Sequence, residues 1–278
     1  FKRMIAEMTP ERCSELTTIP IETLEAAAHL YASVDAAMSV HGLGMTEHSH
    51  GSEGVMALAS LALLTGNVGR PGTGINPLRG QNNVQGSCDM GALPNVYTNY
   101  QSTDDVEQQE KVSAAWNVQV PTKPGMTYPK MLHAVNEGNV RSMYMIGSDI
   151  AHTDPNNEFV KDALGKLELL IVQDIFMTES AKLAHVILPA ATFLESNGTY
   201  TNGERRIQRI RKALEPPGQA KEDWLIVAEL AEAMGHPIVS SRDVSDIWDE
   251  MAALTPNFAG INSERLESAE AIQWPAPT

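Results

Sequence analysis

The sequence predicts an α/β fold built on a mostly parallel sheet, and three observations carry that prediction. Between residues 128 and 193, helical and strand patterns alternate, the order that parallel strands joined by crossover helices require. The strand segments "VRSMYMIGSD", "LELLIVQDIF" and "HVILPAATF" are nearly continuous apolar runs, as expected of a sheet covered by helices on both faces. The first two of these runs break into polar turns, and ligands of open α/β sheets bind beyond the carboxyl ends of the strands.

Taken in order, "PIETLEAAAHLYASV" predicts a helix. Leu24, Ala27, Ala28 and Tyr31 recur at helical spacing, with Thr18 as a candidate N-cap ahead of Pro20. "AAMSVHG" predicts a short buried strand. "GSEGVMALASLALLTGNVG" returns to the helical period from Ser52, with Gly66 placed to close it, and its "VMALASLALL" segment is predicted to be buried. A polar stretch from Gly69 to about Tyr100 follows, too long for a simple connection and therefore a functional candidate. "YPKMLHAVNEG" and "NNEFVKDALGKLE" predict helices, and "TESAKLAH" a short one. "GTYTNGERRIQRIRKALEP" sets Ile207 and Ile210 among basic residues and predicts a hairpin or extended arm, its two Asn-Gly pairs marking turns. "KEDWLIVAELAEAMG" and "VSDIWDEMAAL" are amphipathic helices. No internal repeat is visible.

The chain has 278 residues, room for two ordinary domains, with 42% apolar and 20% charged residues. Thirty-five acidic against 20 basic side chains give a formal charge of −15. That argues against nucleic acid or an anionic membrane surface as partner, because phosphates need clustered cations. Cys13 and Cys88 are too few for a disulfide framework or a cysteine-ligated cluster, and read as reduced thiols in a cytoplasmic setting. No apolar run approaches the roughly 20 residues a membrane span requires. The chain opens on Phe1 rather than Met and closes on "IQWPAPT", so it is expected to be an internal piece of a longer polypeptide.

Two strand ends offer ligand chemistry. In "MIGSDIAHT", Gly147 permits close backbone approach and Asp149 and Thr153 supply an acceptor and a hydroxyl; "IVQDIFMTES" offers Gln173, Asp174 and Thr178. A carboxylate there suits ribose hydroxyls or the donor edge of guanine. Helix capping by Asp149 and Thr178 accounts for the pattern equally well. His48 and His50 in "EHSHG" read as a solvated or hydrogen-bonded pair rather than metal ligands, and Cys88 reads as structural. The run "NPLRGQNNVQGSCDMG" places one arginine, Arg79, among five side-chain amides: Asn76, Gln81, Asn82, Asn83 and Gln85. A guanidinium fork pairs bidentately with a carboxylate, and amides orient it without neutralising it. Binding an anion and pairing with one of the chain's own acids are equally compatible with that pattern.

On "ALLTGNVGRPGTGINPLRGQNNVQGSCDMGALP" and "LLIVQDIFMTESAKLAHVILPAATFLESNGTYTNGERRIQ", continued by "KEDWLIVAELAEAMG", the chain resembles molybdenum- or tungsten-containing formate dehydrogenases of the molybdopterin oxidoreductase superfamily. The resemblance covers nearly the whole chain and is weakest over 100–124 and beyond Pro256. It implies Rossmann-like three-layer α/β domains from the middle of that fold, truncated at both ends. The expected division is 1–81, the end of one cofactor-binding domain; 82–192, a dinucleotide-binding domain; and 193–278, an arm and helices leading to a further domain.

The resemblance also implies formate oxidation to carbon dioxide at a molybdenum or tungsten centre held by bis-molybdopterin guanine dinucleotide, with a 4Fe-4S cluster bound upstream of this segment. Arg79 would orient formate and Gln81, with Gly80, would lie near the pterin. Gly147, Ser148, Asp149 and Thr153, with Gln173, Asp174 and Thr178, would hold one guanine dinucleotide arm; Leu43 and Glu47 would approach the cofactor from the earlier strand end. The metal-ligating selenocysteine or cysteine and the cluster cysteines of such enzymes match no residue here, so the segment alone is expected to be inactive. Expected partners are the rest of its own polypeptide, electron-transfer subunits carrying iron–sulfur or flavin/NAD groups, and formate. A related nitrate or other oxyanion reductase would share the cofactor without needing the "NPLRGQNNVQG" run. A cofactor-free subunit of the respiratory complex I type would have no use for Arg79 and its amides, and a generic nucleotide-binding module would leave that run unexplained.

Overall fold

A computed structural model describes residues 2–3, 5–238, 243–268 and 271–278. The chain divides into two compact units, Phe1–Gln81 and Asn82–Thr278.

The first unit holds α1 (Pro10–Thr17), α2 (Ile21–Ser33), β1 (Met38–His41), α3 (Leu43–Thr46), α4 (Gly51–Leu64) and β2 (Gly74–Pro77). β1 and β2 pair in parallel from Met38 against Gly74 to His41 against Pro77. α1 starts at Thr9, whose hydroxyl accepts the Arg12 N–H, and ends at Thr18, which adopts a left-handed φ of 62°. Thr18 therefore closes α1 rather than capping α2, whose N-cap is Pro20. α4 ends as its glycine predicts: the Gly66 and Asn67 N–H groups return to the Leu63 and Ala62 carbonyls, the Schellman pattern. Its apolar length is not buried, however. Met56, Leu63 and Leu64 are 66–67% exposed and only Gly51 and Ala62 lie inside. The segment is apolar on every side, and this unit supplies too little surface to cover it. β1 departs from expectation in the same way, since only Ser39 is buried along it.

The polar stretch 69–100 is not a bare connection. It contains β2 and, in the second unit, α5 (Val84–Asp89). β2 has almost no strand pattern of its own and forms because β1 offers it a ladder. α5 is anchored by its amides. Asn83 Oδ1 accepts the Thr201 N–H at 3.0 Å, Gln85 donates to Asp89 at 2.7 Å, and the fully buried Asp89 accepts the Trp274 indole N–H at 2.7 Å. A side chain at Gly86 would bring its Cβ within 2.2 Å of Asn83 Oδ1, so glycine there is what lets the Asn83 carboxamide reach Thr201.

The second unit continues with α6 (Val106–Trp116), α7 (Tyr128–Asn136), β3 (Ser142–Ile146), α8 (Ile150–Thr153), α9 (Asn157–Gly165), β4 (Leu169–Asp174) and β5 (Val186–Pro189). β3, β4 and β5 form a parallel sheet in that order, with Ser142 opposite Leu169 and Ile171 opposite Val186. "TESAKLAH" yields only a single tight turn over Ala181–Leu183. One sheet face is closed: Leu132 and Val135 of α7 and Val160, Ala163 and Leu164 of α9 pack on Met145, Leu170 and Val172. The other face is covered in part. Gln173 is fully buried, whereas Leu169 and Ile146 remain exposed.

β6 (Gly198–Thr201) and β7 (Arg206–Ile210) form an antiparallel hairpin, the first of the two forms, hairpin or extended arm, that the sequence allowed. Asn202 Oδ1 accepts the Glu204 and Arg206 N–H groups in its turn, and Arg205, not the glycine, takes the left-handed conformation. Asn197-Gly198 makes no turn and simply enters β6. α10 (Asp223–Ala233), α11 (Val244–Leu254), α12 (Ser263–Glu267) and β8 (Ile272–Gln273) follow, with β8 antiparallel to β7. A second core joins Ile207, Trp248, Phe258, Ile261 and Leu266.

Truncating Leu170 to Ala should remove about 2–5 kcal/mol from the stability of the second unit, because both helices pack on it. Leu63→Ala in α4 should change stability by only about 0.5 kcal/mol. Urea unfolding of the two variants beside the parent chain checks the contrast, and equal losses would refute it.

Candidate functional site

Parallel pairing decides which candidate residues meet. In the first unit, β1 and β2 end together, and the Leu78 N–H bonds to the His41 carbonyl at 2.7 Å just past the pair. The chain leaving β1 passes Gly42 into α3, which begins at Leu43 and is followed by Glu47. The chain leaving β2 runs through Leu78 to Arg79, Gly80 and Gln81. An ideal Cβ on Gly42 would lie 3.9 Å from the Leu78 carbonyl, so the two exits are close neighbours. Leu43, Glu47, Arg79, Gly80 and Gln81 are all solvent-exposed on this edge. His41 itself carries a buried Nδ1 with no hydrogen-bond partner among the described residues. The His48/His50 pair is internal, the His50 N–H reaching His48 Nδ1 at 3.3 Å, and no cluster of three potential metal ligands occurs among the described residues.

In the second unit, β3 and β4 end side by side, where the Gly147 N–H bonds the Gln173 carbonyl at 2.9 Å. Gly147 adopts φ 59°, a left-handed conformation that turns the chain out of β3, with open space where a Cβ would project. Ser148 is exposed on the turn. Asp149 does not cap its own helix, α8, with its side chain. Its carboxylate crosses to the loop after β4, accepting the Ser180 hydroxyl at 2.7 Å, the Ser180 N–H at 2.8 Å and the Glu179 N–H at 3.3 Å. Partial burial pushes the Asp149 carboxyl up, but those bonds outweigh it and hold the group below the usual aspartate range. Thr153 bonds back to the Asp149 carbonyl at 3.0 Å. Thr178 accepts the Ala181 N–H at 3.1 Å, the capping role the sequence allowed, and Asp174 Oδ1 accepts the Ile175 N–H at 2.7 Å.

Gln173 lies on the opposite sheet face from Leu170 and Val172. Its oxygen accepts the Tyr144 hydroxyl, and its amide donates to Asp223 Oδ1 at 2.5 Å. Burial and then the Asp223 charge raise the Tyr144 pKa. Tyr144, Asp223 and Ser180 were not singled out in the sequence. Ser180 was open to recognition, lying two residues after Thr178 in "TES". Asp223, 50 positions from Gln173, had no local signal.

Comparison with known proteins fixes the context. Residues 9–233 match the molybdopterin oxidoreductase family. The chain belongs to that family. The alpha subunit of F420-dependent formate dehydrogenase 2 from Methanococcus maripaludis is 46% identical over 100% of this chain. Formate dehydrogenase H from Escherichia coli is 41% identical over 99% of it. The chain spans 41% and 38% of the length of these two relatives. Acetylene hydratase from Pelobacter acetylenicus, 16% identical, shares the fold with a TM-score of 0.71, covering 98% of this chain and 40% of that one. Membership of the molybdopterin oxidoreductase family implies a molybdopterin cofactor. Among the described residues no helix is long and apolar enough to cross a membrane.

The fully formed Asp149 bonds exist only for the ionised carboxylate. Because its folded pKa lies below the ordinary value of 3.8, its contribution is complete at neutral pH and is lost as the pH falls through and below 3.8. Asp149→Asn should therefore destabilise the chain by about 1 kcal/mol at pH 7. The difference from the parent should shrink in acid, and thermal melts across pH 3–7 (about the range over which aspartate ionises) check it. A difference independent of pH would refute the assignment.

Proposed function

We propose that this chain is part of the catalytic subunit of a formate dehydrogenase. The reading is supported most directly by relatives named as formate dehydrogenases that match essentially the whole chain at 41–46% identity. The exposed Arg79–Gln81 run leaving β2 beside the exit from β1 agrees with it.

The donor set suits the cofactor. The edge of the first unit offers a guanidinium, a carboxamide and the unsatisfied His41 nitrogen, all able to meet a ring rich in donors and acceptors. Leu43, Glu47, Gly80 and Gln81 would hold the pterin there. The edge of the second unit offers an open glycine turn followed by fixed carboxylates, and Gly147, Ser148, Asp149 and Thr153 with Gln173, Asp174 and Thr178 would hold a guanine dinucleotide arm. Asp149 and Thr178 already brace the loops, so they would act by fixing the shape of that turn as much as by contact. In the reading proposed, the group is bis-molybdopterin guanine dinucleotide carrying molybdenum or tungsten, assisted by a 4Fe-4S cluster. Electron-transfer subunits would carry the electrons onward, in the cytoplasm.

Oxidation of formate to carbon dioxide releases one proton and two electrons; the bound metal centre supplies the two-electron acceptor. Arg79 grips the formate carboxylate through its planar fork, fixing the direction of the C–H bond. Its fixed charge lowers the energy of binding an anion while leaving proton transfer to other groups.

In the complete polypeptide, Arg79→Ala should lower kcat/KM for formate about 10- to 150-fold, the loss of one charge-assisted pair. Arg79→Lys should recover only part of it. Formate-dependent dye reduction, with nitrate as counter-substrate and pterin and metal contents measured alongside, checks this. Unchanged formate kinetics in Arg79→Ala would remove it from the substrate, and turnover of nitrate instead would point to a sister oxyanion reductase.

A further inference from the structure

The buried Nδ1 of His41 is an anomaly with a position. Among the described residues, the buried side-chain polar atoms lacking a hydrogen-bond partner belong to His41, Tyr97, Asn99, Thr103, Gln108 and Asn136. Of these, His41 is the one at the carboxyl end of a strand, where open α/β sheets take their ligands. Buried polar atoms are nearly always satisfied, and an orphan calls for an explanation in a bound group or an ordered water. The backbone of His41 is already used: its carbonyl accepts the Leu78 N–H at 2.7 Å, and Pro77 lies opposite in the ladder. Two residues earlier on the same face, Ser39 bonds the Tyr31 hydroxyl at 2.9 Å, so the α2-facing side of β1 satisfies its polar groups up to its last residue and not there.

We propose that His41 Nδ1 hydrogen-bonds the molybdopterin cofactor at the carboxyl edge of β1 and β2, making His41 a further cofactor-binding residue. The proposal rests on the molybdopterin reading of that edge. A neutral imidazole presents Nδ1 as a donor or an acceptor according to tautomer, so it can match either kind of polar atom on a pterin. Because His41 is the last residue of a paired strand, its position is set by the ladder rather than by a loop. The chain beyond it reaches Leu43 and Glu47 within six residues, placing all three on one exit.

The test compares His41→Phe, His41→Gln and His41→Asn in the complete polypeptide, produced both with cofactor and in a host that cannot make it. Asparagine places an amide close to the Nδ1 position, whereas glutamine places it near Nε2 and phenylalanine removes it. The released pterin is followed by the fluorescence of its oxidised form. The Phe and Gln variants should lose cofactor about tenfold faster than the parent, with Asn close to the parent. The cofactor-free Phe and Gln variants should melt at the same temperature as the cofactor-free parent. Retention unchanged in Phe and Gln would overturn the assignment while leaving the molybdopterin reading intact. A cofactor-free protein destabilised as much as the loaded one, or variants that fold in neither form, would also overturn it, showing a structural histidine satisfied by internal water. A parent protein that carries no pterin would overturn the molybdopterin reading itself, and His41 with it.

Discussion

Parallel strand pairing is the constraint on which both units depend. Antiparallel neighbours send their loops to opposite ends, whereas parallel neighbours deliver every carboxyl end to one edge. The exit from β1 at His41–Gly42 therefore meets the exit from β2 at Leu78, 36 positions later, through the hydrogen bond between Leu78 and His41. Within the second unit the same rule joins the Gly147 turn to Gln173 and Thr178. The register behind that meeting is held by burial. A slip of one residue in β4 would turn Leu170 and Val172 away from α7 and α9 and drive Leu169 and Ile171 into their place. The edge chemistry is thus only as exact as the core that fixes the strands.

What shapes the turns beyond the strands is a set of side-chain bonds to backbone. Asp149 satisfies two N–H groups of a neighbouring loop, Asp174 accepts the N–H that follows it, and Thr178 caps a turn. Bonds of the capping kind, one of the two accounts the sequence offered for these residues, are present, and they do not preclude the ligand binding proposed for the same turns. A loop that must present its backbone to a ligand needs its own N–H groups ordered first, and short polar side chains do this at small entropic cost.

Legibility followed the range of the interactions. β3, β4, α7 and α9 were visible because apolar pattern and burial coincide there, β5 from its apolar run alone, since Val186 and Ile187 stay exposed, and the hairpin of β6 and β7 because its turn residues are local. Thr18 was misread because a cap is decided by φ, and a threonine before a proline does not reveal whether it ends one helix or begins the next. β2 was invisible because "GINP" acquires strand geometry only from β1. The burial expected of α4 failed because composition states what a segment would gain from a partner, not that the partner is there. In the site, the strand ends were legible from their polar breaks. The tether from Asn83 to Thr201 spans 118 positions and left no local trace. Arg79 was singled out by its setting among amides, but a pattern of residue types cannot choose between an internal acid and an external anion. Only the resemblance to a family weighted that choice.

The net charge sharpens what Arg79 would have to do. With a formal charge of −15, this chain offers no long-range attraction for an anion such as the formate of the proposed reading. At physiological ionic strength, however, that field fades over a Debye length of about 8 Å, whereas a guanidinium in contact with a carboxylate is screened far less. Attraction must then be short-ranged and set by contact geometry, which favours a planar fork over a mobile ammonium. Such a fork at the end of β2 inherits its position from the ladder with β1. On the proposed reading, the acidic surface and the arginine are compatible because the surface charge is screened out beyond a Debye length, whereas the guanidinium acts in direct contact.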